Sequence, residues 1–545
     1  MMNINEPQKK DTPLLFGLLI KKFTTDGKAY VHFNWGKIAL LLVAIIAFMW
    51  MSVATLLFAY FKYAKDFDTV KFSNMVLLPF KYSEHKIEMG DRHIERGLKA
   101  IKEENYNDGI RLLRLGLIRS PGNLEGLVTL AQIYEYGLKR KDIAIEMYLD
   151  GFDHDGINNK DFCVSALQCL LYNKMDAEII AIANEYLPKE FKKGDNANFQ
   201  TLAFAAATSS FFRGKFDQTE DYINTFLLTE TIDGIVLSSK VSWDRGNKFS
   251  AIKKLESALY KFPNSDQIYS QISYFYREID DFDSARRYAQ LRNIKSPSDS
   301  DPLIELIYLY DKYDIEDKVV EYSKQIIKNF SDNEVAIYQL ANFAASTGKI
   351  NIAQYCYELA LEKDYELENF ALTLVEAHIS KKDFAGAINF SEELLLENPL
   401  WLKDQWPIFS SLRALASYGL NRPDLGEIYL EEFLSEPDLS VDTLVAVAKR
   451  FTSNQMYQQA QRILDLAYSN DENNQRVLNS LIEVNLKLGM TQNLGDQIKK
   501  LLQTRRPDKE LLKDAYNRLG SDLFIFTQNR SSILMELGAI LREQF

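Results

Sequence analysis

The sequence predicts an all-α chain: an α-solenoid of about twelve helical hairpins preceded by one N-terminal apolar helix. Three observations carry this reading. A spacing of thirty-four residues recurs through most of the chain. It is clearest where Leu340, Ala341, Ala344, Ala353, Tyr357 and Ala360 are answered by Leu374, Val375, His378, Ala387, Ser391 and Leu394. Small residues stand at the offsets where two helices must cross closely, as in Ala341 with Ala353 and Ala448 with Ala460. Finally, Ile38 to Phe61 contains no charged residue and is rich in Leu, Ile, Ala, Val and Met.

Taken in order, residues 1–37 form an N-terminal tail. Within it Leu14 to Phe23 is a short apolar stretch ending in Lys21, Lys22 and Phe23, expected to lie on a membrane surface as an interfacial helix. Residues 38–61 are expected to be a transmembrane helix, because at about 1.5 Å per residue the run exceeds a hydrocarbon core of about 30 Å. Trp35, Trp50 and Tyr60 are suited to the interfaces, and Lys37 and Lys62 bracket the run. A cleavable signal peptide fits less well, since the preceding tail is long and no small-x-small site follows. Residues 62–87 are read as a linker, 88–505 as the solenoid and 506–545 as capping helices, with Leu534, Leu537, Ile540 and Leu541 on one stripe.

Each repeat is one helix pair that cannot bury its apolar face alone, so neighbours stack in a row. Ser239, Ser273, Ile307, Ala341 and Val375 form an unbroken series. An insertion around Trp401 to Trp406 follows, after which Ala414, Ala448 and Ile482 resume the interval. Pro263, Pro297 and Pro399 fall near repeat ends, where a helix must stop. Near the start Gly97, Ala100, Gly109, Leu113, Gly116 and Pro121 follow the same pattern. These residues resemble the tetratricopeptide repeat, with small residues at its eighth, twentieth and twenty-seventh positions. The resemblance covers about residues 88 to 505. It is degenerate: Arg96 stands where leucine is usual, Thr219 and Val319 where alanine is, and Gly156 to Phe216 fits poorly.

The chain carries 64 Lys and Arg against 76 Asp and Glu, a net charge of −12. Nine of those bases and five of those acids precede Phe72, leaving 55 bases against 71 acids downstream. An acidic repeat region lacks the basic footprint of a nucleic-acid groove. Lys9, Lys10, Lys21, Lys22, Lys28 and Lys37 precede or abut the apolar run, against Lys62, Lys65 and Lys71 just after it. This bias favours a cytoplasmic N-terminus and exoplasmic repeats, with near balance in the residues closest to the run. Cys163, Cys169 and Cys356 are too few and too badly spaced to staple the fold, and a buried structural role is expected for all three.

No seat for chemistry is visible. The five histidines include no pair at the helical zinc spacing, and Asp153-His154-Asp155-Gly156 lacks the further ligands of a calcium loop. His378 falls at a position that packs between helices. Neither a phosphate loop nor a nucleophile elbow appears, so no cofactor, metal or catalytic residue is expected. A toroid-type hydrolase with paired acids on inner helices is the alternative from another class.

What the resemblance implies is a concave groove lined by the first helix of each hairpin. In this register it gives Lys240 and Trp243, then Tyr274 and Arg277, then Tyr308, Asp311 and Lys312, then Tyr338 and Asn342, then Asn369 and Glu376. Aromatic rings and polar groups alternate along this stripe, as a surface for a protein or peptide ligand would require. The anchor and repeats together are similar to bacterial envelope proteins that pair one membrane helix with such repeats. The expectation is a single-pass inner-membrane scaffold for secretion or surface-polysaccharide assembly, or else a regulatory subunit of a membrane enzyme.

Overall fold

Helices dominate the chain from Trp35 onward. The structure, a computed structural model, describes residues 12–23, 28–64 and 70–543, and residues 1–170 and 171–545 form two units.

The first unit begins with a three-stranded antiparallel sheet of Thr12–Leu14, Leu19–Phe23 and Ala29–Phe33. The stretch Leu14 to Phe23, expected as an interfacial helix, is therefore a turn and a strand. Gly17 at φ +81° turns the chain in a region closed to most side chains, and Leu19 to Phe23 pairs with a β-branched and aromatic strand through Lys21 opposite Val31 and Leu19 opposite Phe33. The pattern of polar and apolar positions within Leu19 to Phe23 is too short to separate the helical period from the strand period. Trp35–Ala59 follows, capped by Asn34 and prolonged by a π-helical turn over Tyr60–Ala64. Trp35–Ala64 is one helix long and apolar enough to cross a membrane.

The stretch 62–87, expected as a linker, is helical over much of its length. Phe72–Val76 is a short helix packed on the apolar helix, and the first long repeat helix already starts at Leu78. Pro79 sits in that helix's first turn, where its missing N–H removes no helical bond. Leu78–Lys102 crosses Tyr106–Leu117 at very close range. A Cβ added at Gly116 would stand 2.4 Å from Ile94 Cγ1 and 2.8 Å from the Gly90 carbonyl oxygen. Leu124–Gln132 and Lys141–Phe152 make the next pair, and Phe162 of Lys160–Tyr172 packs on Phe152 with ring centroids 5.2 Å apart.

In the second unit helix pairs repeat with little variation. The first helices of successive pairs include Ile232–Asp244, Asp266–Glu278, Asp301–Lys312, Glu334–Thr347, Leu367–Ser380, Trp406–Gly419, Val441–Ser453 and Gln475–Leu488. Most pack on the next first helix as well as on their own second helix, the arrangement of an α-solenoid of tetratricopeptide-like hairpins. The small-residue series is buried throughout, from Ser239, Ser273 and Ile307 through Ala341 and Val375 to Ala414, Ala448 and Ile482. Across the crossing, Ser273 Oγ donates to the Ala285 carbonyl at 3.2 Å. Thr219, at a position usually alanine, is accommodated because its hydroxyl donates back to the Lys215 carbonyl at 3.0 Å.

Local signals set the helix ends. Asn333 and Asp281 accept from backbone N–H groups three residues on, and Gly348 and Gly489 close their helices at φ +71° and +70°. The insertion before Ala414 forms a 3-10 turn, Leu400–Lys403, that buries Leu402. The poorly patterned region up to Phe216 is regular helix, including the alanine-rich Ala197–Phe212. After Pro507, Lys509–Leu519 and Arg530–Glu543 place Leu512, Ile533 and Leu537 against Leu478, Ile482 and Ile498 of the last repeat.

Between these caps and the last repeat, Arg505 and Arg506 reach residues several repeats earlier. Arg505 makes a bidentate ion pair with Asp176 at 2.7 and 2.8 Å, and its guanidinium lies 4.3 Å from the Phe212 ring centroid. The Arg506 backbone N–H donates to the Phe212 carbonyl at 2.7 Å, and its side chain pairs with Asp244. The second unit thus closes on itself through this two-arginine clasp.

Candidate binding cleft

Helices Ile232–Asp244, Asp266–Glu278 and Asp301–Lys312 enclose a cleft of about 630 Å³, with Phe211 at its margin. Successive first helices lie side by side, so residues one repeat apart stand in register along its floor. Five of the residues expected in the groove meet here: Lys240, Trp243, Tyr274, Arg277 and Tyr308.

The aromatic wall is packed against neighbouring rings. Trp243 stacks flat on Phe275, with centroids 4.0 Å apart and planes 2° from parallel. Tyr308 stands edge-on to Phe343 of the next repeat at 4.9 Å, and its hydroxyl is 3.4 Å from Ser346 Oγ. Tyr274 and Tyr308 are nevertheless 41% and 39% exposed, so each has ring surface left to cover a ligand. The Arg277 guanidinium lies 5.3 Å from the Tyr274 centroid. Burial raises the Tyr274 hydroxyl above the usual phenol range, with Glu278 adding to the effect, so the group remains a neutral donor at physiological pH.

The charges divide unevenly. Each carboxylate of the cleft already has a partner: Asp244 has Arg506, Asp301 accepts from Gln339 Nε2 at 2.8 Å, and Glu305 accepts from Arg292 at 3.1 Å. Arg292 is in turn held by Asp266 at 2.6 and 2.8 Å. Among the described residues neither Lys240 nor Arg277 forms an ion pair. The cleft therefore presents two uncommitted cations beside three rings, an arrangement suited to an anionic group flanked by apolar ones.

The remaining expected residues lie outside this cleft. Lys312 is committed to Asp280 at 2.8 Å and to the Arg277 carbonyl at 3.4 Å, while Asp311 pairs with Lys349 at 2.9 Å. Tyr338 packs edge-on against Phe370 at 5.8 Å, Asn342 stands exposed, and Asn369 is half-buried near the start of its helix. Glu376 is gripped by Arg450, two repeats on, through bonds of 2.8 and 2.9 Å, so it acts as an internal strut. His378 bonds Asp383 at 2.8 Å; the Gly386 backbone N–H and then His378 hold the Asp383 carboxyl below its usual range. Cys163, Cys169 and Cys356 are buried. Among the described residues no group of three or more His, Cys, Asp or Glu is placed to hold a metal ion.

Sequence reasoning missed Asp244, Asp301, Glu305 and Arg506. Asp301 and Glu305 stand two turns and one turn before Tyr308 on the same helix face, and could have been placed by helical spacing. Nothing local ties Arg506 to Asp244.

No family model matches the chain, and no curated protein matches it. Among solved structures it is similar to yeast Tom70, at 12% identity and a TM-score of 0.32, over 91% of this chain and 99% of that one. It is also similar to an anaphase-promoting-complex hetero-tetramer of Cut9 and Hcn1, at 14% identity and a TM-score of 0.24, over 76% and 88%. Pseudomonas aeruginosa pilF matches at 15% identity and a TM-score of 0.26, over 45% of this chain and 94% of that one. At such values the likeness carries neither a partner nor an activity to this chain.

Proposed function

We propose that this chain is a membrane-tethered scaffold that assembles protein complexes by holding an extended segment of a partner in the cleft of Lys240, Trp243, Tyr274, Arg277 and Tyr308. The uncommitted cations beside exposed rings are the observation that carries this reading. A partner carboxylate fits the planar fork of Arg277, with Lys240 as a second point charge, and flanking apolar side chains fit against the rings. Asn342, Asn369 and Tyr338 extend the surface along later repeats.

Trp35–Ala64 is the membrane anchor in this reading. The Ser52 and Thr55 hydroxyls within its apolar run donate to the Phe48 and Met51 carbonyls at 2.9 and 2.8 Å, so neither is left unsatisfied against lipid. Anchoring confines both partners to one surface and raises their effective concentration, so a modest affinity in the cleft suffices. The lysine bias favours the exoplasmic side for the repeats, and a bacterial inner membrane serving secretion or surface-polysaccharide assembly is the setting taken for this reading. In a regulatory subunit, the small residues of the apolar helix would grip an enzyme; here Ala54 is already covered, with Met75 in the same cluster.

The test is a crosslinking pulldown from membranes comparing wild type with the triple change Tyr274→Ala, Arg277→Ala and Tyr308→Ala. Specific partners are expected to disappear while the helical circular dichroism is kept. Capture of the same partners by the folded triple variant would overturn the proposal.

A further inference from the structure

Phe72 to Phe80 contains no charge, and the structure folds it back along the distal part of the apolar helix. The order of contacts fixes its direction: Phe72 meets Phe58 edge-on at 5.7 Å, Met75 shares a buried cluster with Ala54, and the Trp50 indole N–H donates to the Val76 carbonyl at 2.7 Å. The short helix Phe72–Val76 thus runs down the apolar helix toward its middle. The following helix climbs back until His85 meets Phe61 at 5.0 Å. From Phe61 to Trp50 the descent is about 16 Å at 1.5 Å per residue.

We infer that Phe72 to Phe80 is a re-entrant hook whose tip, Val76 to Phe80, is embedded in the distal leaflet of the bilayer. This rests on the membrane reading of Trp35–Ala64. The part of that helix that the hook does not reach, Trp35 to Met49, spans only about 22 Å, short of a hydrocarbon core of about 30 Å, and beyond it Met51, Val53 and Leu56 still present exposed apolar side chains on the opposite face. The bilayer must therefore extend past Trp50 and over the hook.

Several backbone polar groups at the tip of the hook are paired within the protein, as lipid demands. Leu77 donates to the Ser73 carbonyl, Phe80 and Lys81 both donate to the Leu77 carbonyl at 2.9 Å, and Pro79 has no N–H to satisfy. The helix-terminal carbonyl of Val76 is taken by Trp50. Outward, Phe72 and Leu77 are 40% and 42% exposed and Phe80 is 89% exposed, forming an apolar surface continuous with that of the apolar helix. Lys71 precedes the uncharged run at its mouth, where Tyr60 and Tyr63 stand exposed as at a headgroup boundary, while Lys81 just past the tip is ion-paired with Glu84 at 2.8 Å and is long enough to snorkel.

The experiment uses the full chain in phosphatidylcholine vesicles carrying doxyl groups shallow or deep on the acyl chain. Single fluorophores are attached at Phe80→Cys, Leu77→Cys, Met49→Cys and Tyr260→Cys, the native cysteines being buried. Met49, 57% exposed on the uncovered part of the helix, reports the span, and Tyr260, 93% exposed, reports water. Loss of emission to doxyl lipid at Met49, Leu77 and Phe80, with iodide quenching confined to Tyr260, is the expected result. Doxyl quenching at Met49 with iodide quenching at Leu77 and Phe80 would overturn the hook and leave the span standing. No doxyl quenching at Met49 would overturn the span and the hook together. Shielding of Phe80 from both quenchers would show protein covering it, a second copy for example, and would equally overturn a lipid-facing hook.

Discussion

Replacing Arg505 by alanine should open the clasp that closes the second unit on itself. Asp176 is 4% exposed and Arg505 supplies both of its ion-pair contacts, so the substitution leaves a buried carboxylate without its counter-ion. Breaking a buried pair from one side costs about 3 to 5 kcal/mol. Loss of the guanidinium from the Phe212 ring removes about 1 to 2 kcal/mol of the same interaction network, so the two figures overlap and do not add. At about 1.4 kcal/mol per power of ten, the lower bound of about 3 kcal/mol makes clasp opening roughly a hundred times more frequent. The Arg506 amide, bonded to the Phe212 carbonyl, reports this directly, and its hydrogen exchange should accelerate by about that factor in Arg505→Ala. Asp176→Leu combined with Arg505→Met removes both charges and should exchange more slowly than either single variant. Unchanged exchange in Arg505→Ala, or strictly additive effects in the double variant, would refute the reasoning.

The close helix crossing in the first unit predicts that Gly116→Ala lowers stability. Overpacking against Ile94 and the Gly90 backbone costs about 1 to 3 kcal/mol, set against about 1 kcal/mol of helix propensity gained. Gly122→Ala, whose nearest neighbour would be His154 Cβ at 4.0 Å, should be neutral, and limited proteolysis of the two variants beside wild type checks both outcomes. His85 is buried with neither ring nitrogen hydrogen-bonded among the described residues, and burial lowers its pKa below the usual imidazole value of 6.5 despite Glu88 nearby. The unfolded chain then takes up a proton before the folded one does. Stability from this site is present above pH 6.5 and is lost as pH falls through the folded pKa. Hydrogen exchange around Phe61 and Met89 should accelerate on acidification in wild type and lose that pH dependence in His85→Leu.

The repeat architecture was legible because it is written in short-range spacing. Ala341 and Ala353 lie twelve positions apart on one hairpin, and the same pair recurs as Ala448 and Ala460, so periodicity alone located the crossings. The line of Lys240, Tyr274 and Tyr308 was legible for the same reason, since repeat register carries over to neighbouring helices. What was not legible depends on contacts across many repeats. Lys312 and Glu376 share the residue type and helix face of groove ligands, but Asp280 and Arg450 occupy them. Arg505 and Arg506 follow the last repeat in a segment that reads as a loop, and their partners are Asp176 and Asp244. The N-terminal sheet was missed because a ten-residue apolar stretch fits a helix and a strand equally until its partner strand is known. The hook was read as a linker because nine uncharged residues are too few to signal a membrane segment.

The central claim, a partner segment held in the cleft of a membrane-anchored solenoid, is most directly tested by site-specific photo-crosslinking in intact cells. A photoreactive residue at Tyr274 is compared with the same residue at Tyr260, which is 93% exposed and outside the cleft. The account predicts a discrete adduct from Tyr274 in the membrane fraction, none from Tyr260, and loss of the Tyr274 adduct when Arg277→Ala is added. Adducts of the same partner from both positions, or an adduct at Tyr274 that is indifferent to Arg277, would contradict it.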